Sequence, residues 1–167
     1  SARIPFLVSY PEGISGGRAS DEFVGLQDVL PTIASLTGIA LDKEVDGIDL
    51  APLLKNKNFD GRDYIISYSM GRPNQTYMVR TDRYKYIYNE NNGVEEFYDM
   101  IADPGEEMNL ADRSDLMDII AEHRETMINW AIENGDAELL DNGKLAITEV
   151  DVASFEFNKR TLGWRWY

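Results

Sequence analysis

The first apolar segment of the chain is short and almost uninterrupted. It begins at Ile4 and ends at Val8 (residues 4–8), and a polar, glycine-containing segment follows it. A run with both faces apolar is typical of a strand buried between two helical layers of a parallel sheet. No other segment reads as a matching parallel strand, so we expect residues 4–8 to need neighbours from outside the chain. Left alone, an uncovered strand of this kind favours self-association.

Residues 28–37 show the apolar spacing of a helix. Leu30 and Ile33 fall on one face of it. Asp28 stands where an N-cap side chain is expected, and Gly38 follows the last turn, where a left-handed residue commonly ends a helix. A shorter helical turn is predicted over residues 50–54.

The longest predicted helix covers residues 114–134. Its acidic side chains lie away from one apolar stripe, as in a helix that packs on a neighbouring layer. The stripe consists of Leu116, Ile119, Ile120, His123, Met127, Trp130 and Ala131.

Between these helices the pattern changes to β-branched and aromatic residues separated by turn sequences, which is typical of strands. The predicted strands are residues 64–69, 75–81, 84–88 and 95–100. We therefore predict an α+β fold. A strand and a helix of an α/β domain come first, and a four-stranded antiparallel sheet packed on a long C-terminal helix follows.

Composition excludes several classes of protein. Asp and Glu number 30 against 16 Lys and Arg, a net charge of −14, which disfavours binding to nucleic acid. No stretch approaches the roughly 18 apolar residues of a membrane helix, so we expect no membrane partner. The chain has no cysteine, which removes disulfides, thiolate metal sites and cysteine nucleophiles.

The polar groups that stand out have structural interpretations. His123 is the single histidine and lies on the apolar stripe, so we interpret it as a packed side chain. Asp99, Asp103, Glu106 and Glu107 form the densest carboxylate group, but their order lacks the alternating ligands and central glycine of an EF-hand loop. We interpret this group as a turn begun by Asp103 and Pro104.

Five segments occur in the order and at the spacing of motifs in one known family. They are SARIPFLVSYP at 1–11, DVLPTIASLTGI at 28–39, DGIDLAPLL at 46–54, MVRTDRYKYI at 78–87 and FYDMIADPGEEMNL at 97–110. Together they resemble the closing third of the sulfatases, arylsulfatase-like members of the alkaline-phosphatase superfamily. The resemblance covers residues 1–134. Aspartate at Asp49 replaces the serine usual in the third motif.

The resemblance implies a large α/β domain with the active site, then a smaller sheet-and-helix domain. Residues 1–57 would close the catalytic domain, and residues 58–167 would form the C-terminal subdomain. In the family a formylglycine made from Cys or Ser is the nucleophile, and a divalent cation, commonly calcium, is held by Asp and Asn side chains. The family also implies an exported, for example periplasmic, protein.

The residues of that chemistry are not in this chain. Ser9-Tyr10-Pro11 imitates the start of the motif Cys/Ser-x-Pro-x-Arg, but Gly13 stands where arginine is required. We therefore predict no catalytic and no metal-binding residue here. The expected partner is a missing N-terminal catalytic part of the same protein, and the isolated chain is expected to be inactive.

Three functions stay open. The first is the C-terminal fragment of a sulfuric-ester hydrolase that supports the fold and contacts a sulfated small molecule or glycan. The second is a phosphonate or phosphate ester hydrolase of the same superfamily. The third is a non-catalytic module that binds sulfated glycans.

Two segments have the chemistry of a sulfated sugar site. Arg72 and Asn74 lie between the first two predicted strands, and Trp164 and Arg165 lie in the basic tail. Guanidinium groups pair with oxyanions in a bidentate fork, and aromatic faces stack on pyranose rings. The alternative is that the tail's tryptophans anchor the terminus by packing.

Overall fold

The computed structural model describes residues 4–69 and 75–149, which form two compact units. The first unit contains the described residues up to Ser67 together with Val79–Lys85 and Tyr98–Met108. The second contains the described residues of Tyr68–Met78, then Tyr86–Phe97 and those from Asn109 onward.

The elements form an α+β fold, as predicted. The helices are α1 (Val29–Thr37), α2 (Ala51–Leu54) and α3 (Met117–Glu133). The strands are β1 (Tyr64–Ser69), β2 (Thr76–Thr81), β3 (Tyr84–Asn89), β4 (Val94–Asp99), β5 (Leu140–Asp141) and β6 (Lys144–Leu145). Strands β1 to β4 make an antiparallel sheet in the order β1-β2-β3-β4, and β5 pairs with β6 in a small hairpin. None of the described helices has both the length and the hydropathy of a membrane span.

Helix α1 buries one side and ends where the sequence predicts. Thr32 and Ala34 are buried. The hydroxyl oxygen of Thr32 accepts a hydrogen bond of 2.9 Å from the backbone N–H of Leu50, which joins α1 to the start of α2. Gly38 ends the helix in the left-handed region at φ 72°, a conformation that is strained for residues with a Cβ.

The predicted strand at residues 4–8 does not form. These residues adopt no strand conformation, and the side chains of Ile4 and Leu7 are 51% and 94% exposed. A strand needs hydrogen-bonding neighbours, and no strand of the described sheets pairs with this segment. The expectation that residues 4–8 are poorly covered by this chain is therefore confirmed.

In the second unit α3 packs on strands through aromatic contacts. A 3-10 turn at Ser114–Leu116 begins the segment predicted as helical. The buried residues of α3 are Ile120, His123, Met127 and Ala131, all members of the predicted stripe. The ring of His123 meets the ring of Phe97 edge-on at 5.3 Å, which joins the helix to β4.

Replacing Leu50 tests the packing of the first unit. Leu50 is 1% exposed, so Leu50→Ala should lower the free energy of unfolding by about 2–5 kcal/mol through lost burial and a cavity. The matched control is Leu30→Ala at a side chain that is 55% exposed, where about 0.5 kcal/mol or less is expected. Urea unfolding followed by circular dichroism measures both, and equal losses would contradict the packing described.

Candidate functional site

The four predicted substrate-contact residues lie outside the described residues. Arg72 and Asn74 fall between β1 and β2, and Trp164 and Arg165 fall after residue 149. Their role therefore stays a prediction. The structure does describe both strand ends that flank the first pair.

Those strand ends are fixed by hydrogen bonds. The backbone N–H of Thr76 donates to the hydroxyl of Ser69 at 3.3 Å, which bridges the end of β1 and the start of β2. The N–H of Glu90 donates to the carbonyl of Gln75 at 3.1 Å. The segment that carries Arg72 and Asn74 is therefore attached to an ordered frame.

An aromatic cluster lies beside this frame in the second unit. The ring of Tyr68 stacks on Tyr77 with centroids 5.8 Å apart and lies 5.7 Å from Trp130 of α3. Tyr77 is fully buried, and its hydroxyl donates to the carboxylate of Asp136 at 3.0 Å. Tyr68 is 46% exposed on this fixed support, so the cluster presents a flat aromatic surface of the kind that stacks on sugar rings.

Sequence reasoning placed Trp130 on the apolar stripe and Tyr68 and Tyr77 on strands, but it missed their contact. The alternation of Tyr64, Ile66 and Tyr68 along β1 was the available signal. It indicates that these side chains share a face, but it does not indicate which helix residue meets that face.

The first unit is built around a buried carboxylate. Asp28 is fully buried and accepts hydrogen bonds from the backbone N–H groups of Gly25 at 2.7 Å and Ile48 at 2.9 Å. Arg62 donates through both terminal nitrogens, at 2.7 and 2.5 Å, in a bidentate pair. Asp28 occupies the N-cap position of α1, as predicted, but its side chain makes no capping hydrogen bond to this helix. The carboxylate instead turns back to the preceding turn and to the arginine.

The electrostatics of Asp28 favour its charged form. Burial alone raises the pKa of this carboxyl, but the hydrogen bonds from Arg62, Gly25 and Ile48 outweigh burial and hold its pKa below the ordinary value of 3.8. The carboxylate of Asp28 is therefore charged near neutral pH, and its pair with Arg62 connects segments that lie 34 residues apart in the sequence.

The second unit contains a comparable network. Arg124 of α3 donates to both carboxylate oxygens of Glu95 at 2.7 and 2.8 Å, and the hydroxyl of Tyr86 donates to the same carboxylate at 2.6 Å. Burial raises the pKa of Glu95, and the hydrogen bonds from Arg124 and Tyr86 lower it further than burial raises it. Burial together with the Glu95 carboxylate raises the pKa of Tyr86, which therefore stays a neutral donor.

The carboxylates at the end of β4 form a turn, as interpreted from the sequence. Asp99 accepts two backbone N–H groups of the following residues at 3.0 and 3.1 Å, and Asp103 accepts the N–H of Met108 at 2.9 Å. Glu106 accepts from the ammonium of Lys85 at 2.5 Å. Within residues 4–69 and 75–149, no group of three or more His, Cys, Asp or Glu side chains has the arrangement to hold a metal ion.

His123 is packed, as predicted. It is 5% exposed, and its Nδ1 lies 2.8 Å from the carbonyl oxygen of Ile119 in the preceding turn. This geometry and the edge-on contact with Phe97 belong to the interior of the second unit.

A small hollow in the first unit is lined by polar side chains. Its volume is about 150 Å³, and Ser35, Asp49, Lys55 and Lys57 contribute to its wall. Ligand pockets usually have volumes of about 300–1,000 Å³, so the hollow is too small for an oligosaccharide.

Comparison with known proteins points to one family. Residues 1–133 match the family model described as "N-sulphoglucosamine sulphohydrolase, C-terminal". The chain is similar to a "Delta 4,5-hexuronate-2-O-sulfatase" of Bacteroides thetaiotaomicron, at 38% identity over 80% of this chain and 29% of that protein. It is also similar to an "Arylsulfatase" of Clostridium perfringens, at 30% identity over 87% of this chain and 31% of that protein.

A solved structure shares the fold. The "2-O GAG sulfatase" structure superposes with a TM-score of 0.62 and 35% identity, covering 72% of this chain and 27% of that chain. The chain spans about a third of the length of the curated relatives that it matches.

Removing the charge of Asp28 should destabilise the first unit. Asp28→Asn leaves Arg62 largely buried without its counter-charge, so we expect a loss of about 3–5 kcal/mol in the free energy of unfolding. Adding Arg62→Met should recover part of it. The matched control is Asp115→Asn, which breaks an exposed pair with Arg113 and should cause no measurable loss.

The same pair predicts a pH dependence. Because the folded pKa of Asp28 lies below the unfolded value, its stabilisation is complete above pH 3.8 and is lost as the pH falls through the folded pKa. The parent chain should therefore lose stability more steeply than Asp28→Asn as the pH falls below about 4. Parallel slopes, measured by urea unfolding at each pH, would contradict a depressed pKa.

Proposed function

The chain belongs to the sulfatases of the alkaline-phosphatase superfamily, as their C-terminal domain, and on this basis we propose that the whole protein is a sulfuric-ester hydrolase whose catalytic centre lies outside this chain. The observation that supports this most strongly is the family match over residues 1–133. In the matched relatives this region is about a third of the protein. We propose that the chain is the corresponding piece of a longer enzyme.

The nucleophile and cation of the family do not fit the residues present. Formylglycine requires a Cys or Ser in the motif Cys/Ser-x-Pro-x-Arg. The chain has no cysteine, and Gly13 replaces the arginine after Ser9. No carboxylate cluster suited to a metal occurs in the part of the chain that the structure describes. No catalytic step is therefore assigned to this chain.

We propose that the chain stabilises the fold of the whole enzyme and contacts its substrate. The charged networks around Asp28 and Glu95 fix the two units internally. The ordered ends of β1 and β2 carry the segment that contains Arg72 and Asn74. Guanidinium groups at such positions would bind sulfate oxygens outside the reacting centre.

The proposed substrate class is a sulfated carbohydrate. Both the hexuronate-2-O-sulfatase and the 2-O GAG sulfatase act, by their names, on sulfated sugars. The exposed ring of Tyr68 and the predicted contacts of Arg72, Asn74, Trp164 and Arg165 have the chemistry of such a substrate.

The other functions are less well supported. A phosphonate or phosphate ester hydrolase is not favoured, because the relatives described above are sulfatases. A non-catalytic glycan-binding module would bind sulfated sugars without any catalytic part in the same gene. Self-association through residues 4–8 is a further proposal, which rests on their exposed apolar side chains.

The isolated chain should hydrolyse no sulfate ester. The reason is that it contains neither a formylglycine precursor motif nor a cation site in its described residues. The measurement is release of sulfate from an aryl sulfate and from a 2-O-sulfated unsaturated disaccharide, with added calcium. The whole protein, assayed in parallel, should turn over at least one of these substrates.

Two outcomes would contradict the proposal. Turnover by the isolated chain that follows the protein through repeated purification would place a catalytic centre within residues 1–167. A whole protein that hydrolyses phosphonate monoesters and no sulfate ester would favour the second function.

Arg72 and Arg165 should affect the natural substrate more than a minimal one. In the whole protein, Arg72→Ala and Arg165→Ala should each lose about 1.5–3 kcal/mol of transition-state stabilisation on the sulfated glycan, because a charged hydrogen bond is lost. An aryl sulfate offers no sugar for these contacts, so its kcat/KM should change little. Equal losses on both substrates, or only a lower melting temperature, would give these arginines a structural role.

A further inference from the structure

A segment that follows helix α3 contacts two strands of the larger sheet. It covers residues 136–148 and contains β5 and β6, and we call it the clasp. The residues that the family model matches end at residue 133, before the clasp begins. The side chain of Leu139, in the clasp, is fully buried. The clasp is therefore packed into the second unit, to which it belongs.

The end of the clasp holds the turn between β3 and β4. The backbone N–H of Thr148 donates to the carbonyl of Glu90 at 2.8 Å, and the N–H of Asn92 donates to the carbonyl of Thr148 at 3.2 Å. The side chain of Tyr88 is buried, and its hydroxyl donates to the carbonyl of Ala146 at 2.6 Å. These hydrogen bonds attach the clasp to the turn and to β3.

The start of the clasp holds the support of the exposed aromatic ring. The carboxylate of Asp136 accepts the hydrogen bond of the Tyr77 hydroxyl at 3.0 Å, and the ring of Tyr77 stacks on that of Tyr68. Between the two ends, the N–H of Ala146 donates to the carbonyl of Leu139 at 2.8 Å. The clasp therefore connects the turn between β3 and β4 with the ring that supports Tyr68.

A path through the sheet joins the same two places. The N–H of Glu90 in the turn donates to the carbonyl of Gln75 at 3.1 Å, and the N–H of Thr76 donates to the hydroxyl of Ser69 at 3.3 Å. Ser69 directly follows Tyr68 in the chain. A turn that is held in place by the clasp therefore also holds the ends of β1 and β2.

The charge of the clasp is unsuited to direct contact with a sulfate group. Residues 136–148 contain three acidic side chains and one basic side chain, that of Lys144. A net negative segment repels an anionic ligand. An effect of the clasp on a sulfated sugar would therefore pass through the ring of Tyr68.

We propose that the clasp is a positioning element that fixes the ring of Tyr68 for stacking on a sugar of the substrate, an inference that rests on the proposed function. A ring that is held in place before binding loses less conformational freedom when the ligand stacks on it. Tyr88 is the positioning residue that tests this idea best. It lies on β3, and β2 lies between its strand and the strand of Tyr68.

The test removes single hydroxyl groups in the whole protein. Tyr88→Phe removes the bond to the clasp, and Tyr86→Phe is the matched control. Tyr86 lies two residues earlier on the same strand, is also buried, and donates a hydrogen bond of the same length, 2.6 Å, to Glu95. For each variant, kcat and KM are measured on the 2-O-sulfated unsaturated disaccharide and on an aryl sulfate, and the melting temperature is recorded.

The expected result is a selective loss of sugar binding. In Tyr88→Phe the KM for the disaccharide should rise about two- to tenfold, the range of one hydrogen bond, with kcat unchanged. Tyr86→Phe should lower the melting temperature and leave this KM unchanged. Tyr68→Ala should raise the KM as well, and Tyr88→Phe should add nothing in that background, because the ring that it positions is gone. The kcat/KM for the aryl sulfate should change little in every variant.

Three results would overturn the inference. The first is an unchanged KM for the disaccharide in Tyr88→Phe. The second is an equal rise in Tyr86→Phe, because the loss of any buried hydroxyl would then suffice. The third is an additive effect of Tyr88→Phe and Tyr68→Ala, because the clasp would then act without the ring.

Failure of the proposed function gives a different result. A whole protein that hydrolyses no sulfate ester would contradict the proposed function. The same variants are then compared by the dissociation constant of the disaccharide, measured by calorimetry. A weaker complex in Tyr88→Phe but not in Tyr86→Phe would support the clasp, and equal constants in all variants would overturn it.

Discussion

The carboxylate of Asp28 connects three segments of the first unit that are separated in the sequence. It accepts hydrogen bonds from the backbone N–H groups of Gly25 and Ile48 and from the guanidinium of Arg62, and no part of it is exposed. Burying a charged carboxylate without partners would cost several kcal/mol or more of stability. The hydrogen bonds that Asp28 accepts offset this desolvation cost. The close approach also requires Gly47, because a Cβ there would lie 2.0 Å from the carbonyl oxygen of Gln27.

The direction of α1 follows from this arrangement. Asp28 immediately precedes the helix, so fixing its carboxylate fixes the start of α1, and the bond from Leu50 to Thr32 fixes the first turns. These inward contacts satisfy the polar groups of one side of the helix. On the opposite side of the helix, the side chains of Leu30 and Ile33 are more than half exposed. These hydrogen bonds therefore lie on one side of α1, and the opposite side of the helix is apolar.

The second unit also contains a carboxylate that is held by an arginine and a further hydrogen-bond donor, and here the network joins a helix to the sheet. The guanidinium of Arg124 neutralises the carboxylate of Glu95, and the hydroxyl of Tyr86 donates a hydrogen bond to it, which joins a helix to two strands. The ring of Tyr77 is buried and hydrogen-bonded, and it supports the exposed ring of Tyr68. A rigid support of this kind lowers the entropy lost when a ligand stacks on the outer ring. This rigidity is the physical basis for the proposal that the second unit contacts a sugar.

Local patterns predicted the elements well. Helix α1, helix α3 and all four strands of the larger sheet were predicted from periodicity and residue type, because both reflect which side chains are buried. The partner of Asp28 was missed, since the capping rule concerns neighbours within one turn and Arg62 lies 34 residues away. The hairpin β5–β6 was missed because two-residue strands have no periodicity to detect.

The candidate site was predictable only in part. The residue types at Arg72, Asn74, Trp164 and Arg165 suggested binding of a sulfated sugar. These four residues lie outside the described residues, so their role stays a prediction. The contact between Tyr68 and Trp130 depends on how α3 crosses the sheet. A crossing of this kind is a property of the packed fold, and no local pattern encodes it.

We propose that this chain supports a sulfatase whose nucleophile lies elsewhere in the same protein. Formylglycine carries an aldehyde, which no standard side chain has, so a hydrazide probe captures it selectively. The most direct measurement treats the active whole protein with such a probe and locates the modified peptide by mass spectrometry. We expect one modified peptide, outside residues 1–167, and loss of sulfate-ester hydrolysis in step with the modification. A modified residue within 1–167, or an active enzyme with no aldehyde, would contradict it.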